Sequence, residues 1–519
     1  MMSFDAIVIG GGHNGLTAAA ALSRSGRKVL VLEAGDEAGG MLRGDSFHPG
    51  FRASGPTQIV NRLDGEVAEL LGLPKGVAGG AALPTVVLSL SREPVILEGA
   101  YGETIRGIDA AEAERFAALR SKLLFQAGIL RRLLKRTPLP IGKVSGGDLA
   151  AIGLAGLGLI RKGREEGRDF LRMLLMNVAD VGDEYLTDDR LKGLIAFDAT
   201  LGIQLGPRSP TSLLGLYYRL TGEANGRPGG QYVPQGGMAA LGAAFVAGAE
   251  KAGVTIRTNA PVARILADRG AVSGVVLQTG ETLAAPVIVS AVHPKTTFLS
   301  LVDPAEIGTG LRRAVTHIRS NGNVARLDLA LNAVPSFSGV SRDALGGRLV
   351  IAGSMQHVET AFNPSKYGAF HDDPVMEVMV PSLADPTLAP AGGATVSALV
   401  PFVPYALKEG WESGRPKLVS ALLAVLERHA PGIGHTVLGA RIMVPPDIEA
   451  AYRVPGGHWH HGELQADQLF VNRPVHAASR FSTPLAGLFL ASAGSHPGGG
   501  ISGLPGLLAA RHILAGDRR

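Results

Sequence analysis

Residues 6–15 run Ala6-Ile-Val-Ile9-Gly10-Gly-Gly12-His13-Asn14-Gly15, an apolar stretch that ends in a cluster of glycines. A small-residue stretch follows, and then Lys28-Val-Leu-Val-Leu32 ends in Glu33. This order predicts a buried strand, a glycine turn, a helix and a second buried strand closed by an acid. In such a turn Gly10 permits a sharp bend, Gly12 permits close approach of a pyrophosphate, and Gly15 permits close packing of the helix on its strand.

The pattern predicts a site for an ADP-containing dinucleotide. The helix N-terminus presents free N–H groups and a partial positive charge to a phosphate. The Glu33 carboxylate can accept hydrogen bonds from both hydroxyls of an adenosine ribose and would repel a 2′-phosphate. The residues expected to contact the cofactor here are Gly10, Gly12, His13, Asn14, Gly15, Glu33 and Ala34.

The turn after Glu33 favours FAD over NAD. A glycine doublet, Gly39-Gly40, stands six residues beyond the acid and is followed by Met41. Such a doublet brings the backbone close beneath an extended cofactor, and an NAD-binding domain does not need it. We therefore expect Gly39, Gly40 and Met41 to contact FAD.

A second glycine-rich loop lies near the C-terminus, after the apolar run 487–493. Gly498, Gly500 and Gly503 match the dinucleotide spacing, but the sequence ends at Arg519 with no second strand or acid. We therefore expect a loop that brings the N-terminus of the last helix to the flavin ring, where positive potential stabilises charge that develops on reduction. The residues expected to contact the cofactor are Gly494, Ser495, Gly500, Ile501 and Ser502.

Composition limits the functional classes. The chain has 519 residues, a formal net charge of +5 and no cysteine. The nearly balanced charge gives no reason to expect nucleic-acid binding, and the missing cysteines exclude disulfide and thiolate chemistry. His458, His460 and His461 lack an acid at a diagnostic spacing, so no metal site is expected. The first strand begins too early to leave room for a signal peptide, so a cytoplasmic protein is expected.

Four motifs resemble the phytoene desaturase superfamily of FAD-dependent oxidoreductases. They lie at residues 10–16, 234–238, 290–294 and 494–500. Residues 456–463 and 467–474 are most similar to the branch that contains the pyridine nucleotide-disulfide oxidoreductase domain-containing protein and the desaturase-like carotene ketolases. The resemblance implies FAD contacts at Gly10, Gly12, Gly15, Glu33, Gly40, Gly494, the loop around Ile501 and Val262. Spacing alone would place Val262 as a core valine.

The resemblance also implies an α/β fold. Its glutathione-reductase-type, Rossmann-like FAD domain is interrupted by an α+β substrate-binding cap. The expected FAD-binding segments are 1–75, 229–302 and 451–519. The expected cap consists of a helical segment, 76–228, and a sheet-containing segment, 303–450, in which residues 325–331 alternate like a half-buried strand.

Two basic stretches in the first cap segment suggest contact with a membrane surface. Residues 110–136 form a helix-prone run rich in Arg and Lys, and an apolar run within 149–164 ends in three basic residues. Basic amphipathic helices of this kind dock on anionic membranes. A solvated helix face or an oligomer interface would give the same pattern, and the oligomeric state stays open.

The catalytic candidates are histidines near the C-terminal loop. His460 and His461 precede the loop and His496 lies within it, with Glu463 as a further candidate base and Trp459 as a wall of the substrate site. A hydrogen-bonded loop histidine would fit the same positions. Flavin itself accepts the hydride, so the protein needs only to orient the carbon, exclude water and supply a base where one is required.

Three functions are compatible with the sequence. The first is a desaturase, dehydrogenase or isomerase of an apolar, isoprenoid- or carotenoid-like substrate, with oxygen or a quinone as electron acceptor. The second is a flavin oxidase of a smaller polar substrate such as an amine, although 2 Trp and 8 Tyr leave few residues for an aromatic cage. The third is an FAD-binding interaction protein.

Overall fold

The computed structural model describes residues 4–139 and 163–516. Most of the second basic stretch, 149–164, therefore lies outside the described residues. Where the chain is described, no helix is long and apolar enough to cross a membrane. The predicted contact with a membrane surface stays a prediction.

A five-stranded parallel sheet forms the centre of the cofactor domain. In spatial order its strands are Thr255–Arg257, Val29–Leu32, Ala6–Ile9, Val287–Ser290 and Leu488–Leu490. The three predicted FAD-binding segments all contribute strands. Ala6–Ile9 and Val29–Leu32 are buried at every position, as expected for parallel strands covered on both faces. The predicted α/β, Rossmann-like fold is confirmed.

Helices pack closely on one face of this sheet. His13–Arg24 lies against both Gly237–Lys251 and Leu504–Gly516. Gly506 permits the last of these contacts, because a Cβ on it would lie 2.0 Å from the Asn14 carbonyl oxygen. Residues from both ends of the chain thus share one core. The small antiparallel sheet next to this domain consists of Val262–Asp268, Ala271–Leu277 and Thr282–Ala284.

An eight-stranded mixed sheet forms the floor of the cap. In spatial order its strands are Val437–Met443, Val324–Leu331, Ala394–Pro401, Met376–Met379, Arg348–Ile351, Thr85–Val87, Val95–Glu98 and Thr104–Arg106. The last three belong to segment 76–228, so the expectation that this segment is helical is incomplete. These strands have three or four residues each, too few for a period to be recognised in the sequence.

The predicted strand Val324–Leu331 forms, but it is not half-buried. All eight residues are buried, including Arg326 and Asp328. Arg326 Nε donates to Asp328 Oδ1 at 2.8 Å, and Arg441 Nη2 donates to Asp328 Oδ2 at 2.8 Å. The alternation of polar and apolar residues correctly identified the polar face of the strand. This face is buried rather than solvated, because its charged side chains pair with one another within the protein.

Helices cover the sheet on the side of segment 76–228. They are Ala110–Leu134, Arg164–Leu175, Val178–Tyr185, Asp189–Thr200 and Leu213–Leu220. The basic side chains of the first helix make contacts within the chain. Arg131 Nη1 donates to Glu223 at 2.8 Å, and Arg120 Nη2 donates to the Ala100 carbonyl at 2.6 Å.

The remaining elements are short, apart from one long helix of the cap. The helices are Gly65–Leu71, Lys75–Ala78, Thr309–Thr316, Met355–Phe362, Trp411–His429 and Pro445–Tyr452. The strand pairs are Gly44–His48 with Phe51–Ser54 and Glu223–Ala224 with Arg227–Pro228.

The close helix contact makes a prediction about stability. We expect Gly506→Ala to lower the free energy of unfolding by about 1–3 kcal/mol, because its methyl group would meet backbone rather than a movable side chain. Gly128→Ala is the matched control: it also lies within a helix, nothing stands within 4 Å of its added Cβ, and it should gain up to about 1 kcal/mol. Urea unfolding measures both, and equal effects would contradict the prediction.

Candidate functional site

A cavity of about 560 Å³ lies where the central parallel strands end. This is the edge of a doubly wound sheet at which ligands bind. Most of the residues expected to contact FAD line this one cavity: Gly10, Gly12, His13, Asn14, Gly15, Glu33, Ala34, Gly40, Met41 and Val262. Residues 451–454, Trp459, His461 and Ala493 also line it, so three segments that are remote in the sequence meet around one space.

The two N-terminal glycine loops hold each other in place. Gly39 N–H donates to the Gly11 carbonyl at 2.8 Å, and a Cβ on Gly40 would lie 3.1 Å from Gly12 Cα. A Cβ on Gly12 would meet no protein atom within 4 Å, because this residue faces the cavity. Gly12 is also the N-cap residue of the helix His13–Arg24. The cavity therefore has a bare backbone cradle at a helix N-terminus, which fits a pyrophosphate.

The Glu33 carboxylate is fixed at the cavity wall. Its Oε2 accepts from Gly11 N–H at 2.8 Å, and its Oε1 accepts from Gly35 N–H at 2.8 Å. Each carboxylate oxygen can accept a further hydrogen bond. Glu33 is thereby oriented by the backbone and keeps acceptor capacity for ribose hydroxyls, which fits the adenosine end of FAD.

The C-terminal glycine loop reaches a second cavity, of about 170 Å³. Gly500 and Ile501 line it, and Leu504–Gly516 begins shortly after them. Gly39, Gly494, Ser495 and Ser502 were also expected at the cofactor and line neither cavity. Their predicted contacts with the cofactor stay predictions.

The two cavities share walls. His13, Met41, Trp459 and Ala493 line both of them. The pKa of His13 is lowered to about 4 by burial, so its ring is neutral at pH 7. A ligand that extends from the dinucleotide cavity past these shared residues would reach the second cavity. A substrate that reacts with this end of the ligand would have to lie in the second cavity.

The second cavity has an apolar side and a charged side. The apolar side chains at its wall are Leu42, Ile59, Leu201, Ile203, Leu399, Leu464 and Ile501. The charged and amide side chains at its wall are Gln58, Asn61, Arg62, Asp198, Arg219 and Glu377. Trp459 lines both this cavity and the cofactor cavity, and its expected role as a wall of the substrate site stays a prediction.

A buried ion cluster forms the charged side. Arg348, which is fully buried, lies 2.5 Å from Asp198 Oδ1 and 2.5 Å from Glu377 Oε2. Gln58 Nε2 also donates to Glu377 at 3.0 Å, and Arg219 Nε lies 3.5 Å from Asp198. No sequence pattern predicted this cluster. Its only local signal was a charged residue in each of the apolar strands Arg348–Ile351 and Met376–Met379.

The three candidate catalytic histidines have different positions. His460 lines the second cavity and His461 lines the cofactor cavity, whereas His496 is fully buried and lines neither. Burial lowers the pKa of His461 to about 3 and that of His496 to about 4. Burial, together with His458 and Arg473, also holds the pKa of His460 well below its usual range. At pH 7 all three rings are neutral and weakly basic.

Glu463 is buried behind the cavity wall and lines neither cavity. Its Oε2 accepts from Gln204 N–H at 3.1 Å, and its Oε1 lies 3.9 Å from His458 Nε2. Burial raises its pKa to about 7. In the described part of the chain no three His, Asp or Glu side chains are grouped so as to hold a metal ion.

These features fit a dinucleotide-binding protein with a second cavity beside the cofactor, and comparison with known proteins identifies its family. Residues 5–393 match the family described as "FAD dependent oxidoreductase". The chain belongs to this family, and its cofactor is FAD.

Three relatives show how the sequence is related within this superfamily. A rat protein, "Pyridine nucleotide-disulfide oxidoreductase domain-containing protein 2", is 30% identical over 99% of this chain and 94% of its own length. A component of limonene dehydrogenase from Castellaniella defragrans is 26% identical over 98% of this chain and 94% of its own. "Phytoene desaturase (neurosporene-forming)" from Cereibacter sphaeroides is 29% identical over 63% of this chain and 60% of its own. The resemblance to the desaturase superfamily is thereby confirmed.

A solved structure has the same fold. A triple mutant of putrescine oxidase superposes with a TM-score of 0.62, at 15% identity, over 100% of this chain and 99% of that chain. At this identity the similarity concerns the fold alone.

The cradle at Gly12 makes a prediction about cofactor affinity. Gly12→Ala should fold normally, because its added methyl group meets no protein atom, but should weaken FAD binding at least about tenfold, or about 1.4 kcal/mol. Gly65→Ala is the matched control, since its Cβ is equally unhindered and the residue lines neither cavity. Titration of the apoproteins with FAD measures the dissociation constants. Unchanged affinity in Gly12→Ala would show that the pyrophosphate lies elsewhere.

The raised pKa of Glu463 makes a prediction about pH. The Glu463 carboxyl has a pKa of about 7 in the folded protein and an ordinary pKa of 4.5. The free energy of unfolding of the wild type therefore falls as pH rises from 4.5 to 7, because the unfolded chain releases this proton first. The glutamine of Glu463→Gln cannot ionise. As pH rises from 4 to 8, the free energy of unfolding of this variant should therefore increase relative to that of the wild type by up to about 3 kcal/mol. Urea unfolding at both values tests this, with the exposed Glu114→Gln as control. A pH-independent difference would contradict the assignment.

Proposed function

We propose that this FAD-dependent oxidoreductase removes hydride from a C–H bond of an apolar, isoprenoid-like substrate, as a desaturase, dehydrogenase or isomerase. The observation that carries the proposal is the apolar wall of the second cavity, which adjoins the cofactor cavity at Met41 and Trp459. The names of two relatives, a phytoene desaturase and a component of limonene dehydrogenase, support the same substrate class.

FAD and the residues of the second cavity would have separate roles in this reaction. FAD, when bound, supplies the hydride acceptor at flavin N5. Leu201, Ile203 and Leu399 would bind the apolar body of the substrate and exclude water. His460, neutral at pH 7, is one of the side chains at this wall that could accept a proton, and its low pKa makes it a weak base. Its catalytic role stays a prediction.

Oxidation of a smaller amine is the second candidate function. The carboxylates of Asp198 and Glu377 at the cavity wall favour it, because a carboxylate attracts an ammonium group. Both carboxylates already pair with Arg348, however, and an amine would have to compete with that ion pair. We therefore rank the apolar substrate first.

The two candidates differ in what reduces the flavin and what reoxidises it. Under anaerobic conditions limonene, but not putrescine, is expected to bleach the flavin absorbance of the holoenzyme. After photoreduction, a soluble ubiquinone analogue is expected to reoxidise the flavin faster than oxygen does. Bleaching by putrescine together with rapid reoxidation by oxygen would establish the amine oxidase instead.

A substitution in the apolar wall tests the same proposal. Leu201→Asn should raise KM for the apolar substrate at least about tenfold, because it replaces apolar contact worth about 1.5–3 kcal/mol by an amide. Leu438→Asn is the control, since Leu438 is 51% exposed and lines neither cavity. Steady-state kinetics with both variants decides the matter. Equal KM values for the wild type and Leu201→Asn would show that Leu201 does not contact the substrate.

A further inference from the structure

Arg62 differs from the other charged groups at the wall of the second cavity. Asp198 and Glu377 pair with Arg348, and Arg219 lies 3.5 Å from Asp198. These four charges cancel. Among the described residues, no carboxylate forms an ion pair with Arg62, so the cavity wall carries one uncompensated positive charge.

The contacts of Arg62 hold its guanidinium in one orientation. Nη1 donates to the Tyr218 carbonyl at 2.9 Å, and the guanidinium carbon lies 3.8 Å from the centroid of the Tyr218 ring. The residue is only 8% exposed, and its Nε has no hydrogen-bond acceptor within residues 4–139 and 163–516. A rigid planar donor at a cavity wall, with an unused N–H, is suited to an anionic oxygen.

Burial makes this unpaired charge expensive. An isolated cation in a poorly solvated site is destabilising unless a counter-charge is present, and arginine does not become neutral by losing its proton. The histidines on this wall, His13 and His460, are uncharged at pH 7 and carry no negative charge that could compensate Arg62. A ligand that brings a negative charge to Arg62 therefore gains more than one that is neutral.

We propose that Arg62 is a binding site for the carboxylate of an amphipathic substrate, whose apolar body lies against Leu42, Ile59 and Ile203. The proposal deepens the proposed function and rests on it for the apolar body. It specifies the substrate class as an acid with a branched, isoprenoid-like hydrocarbon part. The carboxylate accepts hydrogen bonds from Arg62 and takes no part in the redox step.

Ligand binding to the oxidised holoenzyme tests the proposal without turnover. Geranate and geraniol share one carbon skeleton and differ in the charged group, and octanoate is an acid without the isoprenoid branches. Titration followed by the change in flavin absorbance is expected to give geranate a dissociation constant at least about tenfold lower than that of geraniol.

Variants then assign the preference to Arg62. Arg62→Gln should abolish the difference between geranate and geraniol by weakening geranate binding alone. Arg131→Gln is the matched control, because Arg131 is an arginine paired with Glu223 and outside this cavity, and it should keep the preference. A preference that survives in Arg62→Gln, together with a shifted flavin reduction potential, would show that Arg62 serves the flavin and would overturn the proposal.

The wild type alone also decides the question if Arg62→Gln does not fold. Geraniol binding as tightly as geranate overturns the carboxylate site while leaving the proposed function intact. Geranate and octanoate binding equally, with limonene and other terpenoids failing to bleach the flavin, supports the site and rejects the isoprenoid substrate. Failure of both acids to bind overturns the carboxylate site.

Discussion

The structure depends on one steric constraint, the close packing of the helix His13–Arg24 against its neighbours. A Cβ on Gly15 would lie 2.1 Å from the Gly10 carbonyl oxygen, and one on Gly506 would lie 2.0 Å from that of Asn14. Both clashes would be with backbone, so no change of rotamer relieves them. Because this packing holds, the N-terminus of the helix stays at the cofactor cavity, and the last helix joins the same core.

The same packing places the second cavity beside the first. The loop that leads into Leu504–Gly516 carries Gly500 and Ile501 to the wall that His13 and Met41 also line. Burial keeps the imidazole at this junction neutral, so it adds no charge where the two cavities meet. The charged groups at the wall of the second cavity are Arg62 and members of the ion cluster around Arg348. The two cavities thus share walls at His13 and Met41 but differ in the charged groups that line them.

Local patterns predicted the cofactor domain well, and side-chain positions in the cap poorly. The parallel sheet and the meeting of both chain ends followed from glycine spacing and apolar runs. The strand Val324–Leu331 was expected to be half-buried, yet Arg326 and Asp328 are buried because Arg441 and Ser397 complete their contacts. His496 is shielded from both cavities, which its position in the loop could not reveal.

The sequence by itself determined the cofactor, because the requirements for binding FAD are local. A backbone cradle, a helix N-terminus, an acid at the end of a strand and the doublet Gly39-Gly40 that favours FAD over NAD all lie within the first 40 residues. Only the tertiary structure decided which charged groups meet at the second cavity. Gln58 and Glu377 are 319 positions apart and Arg348 and Asp198 are 150 apart, yet they are in contact. Such pairs form only when strands and helices from separate segments pack together, since no short-range pattern encodes which buried charges will meet.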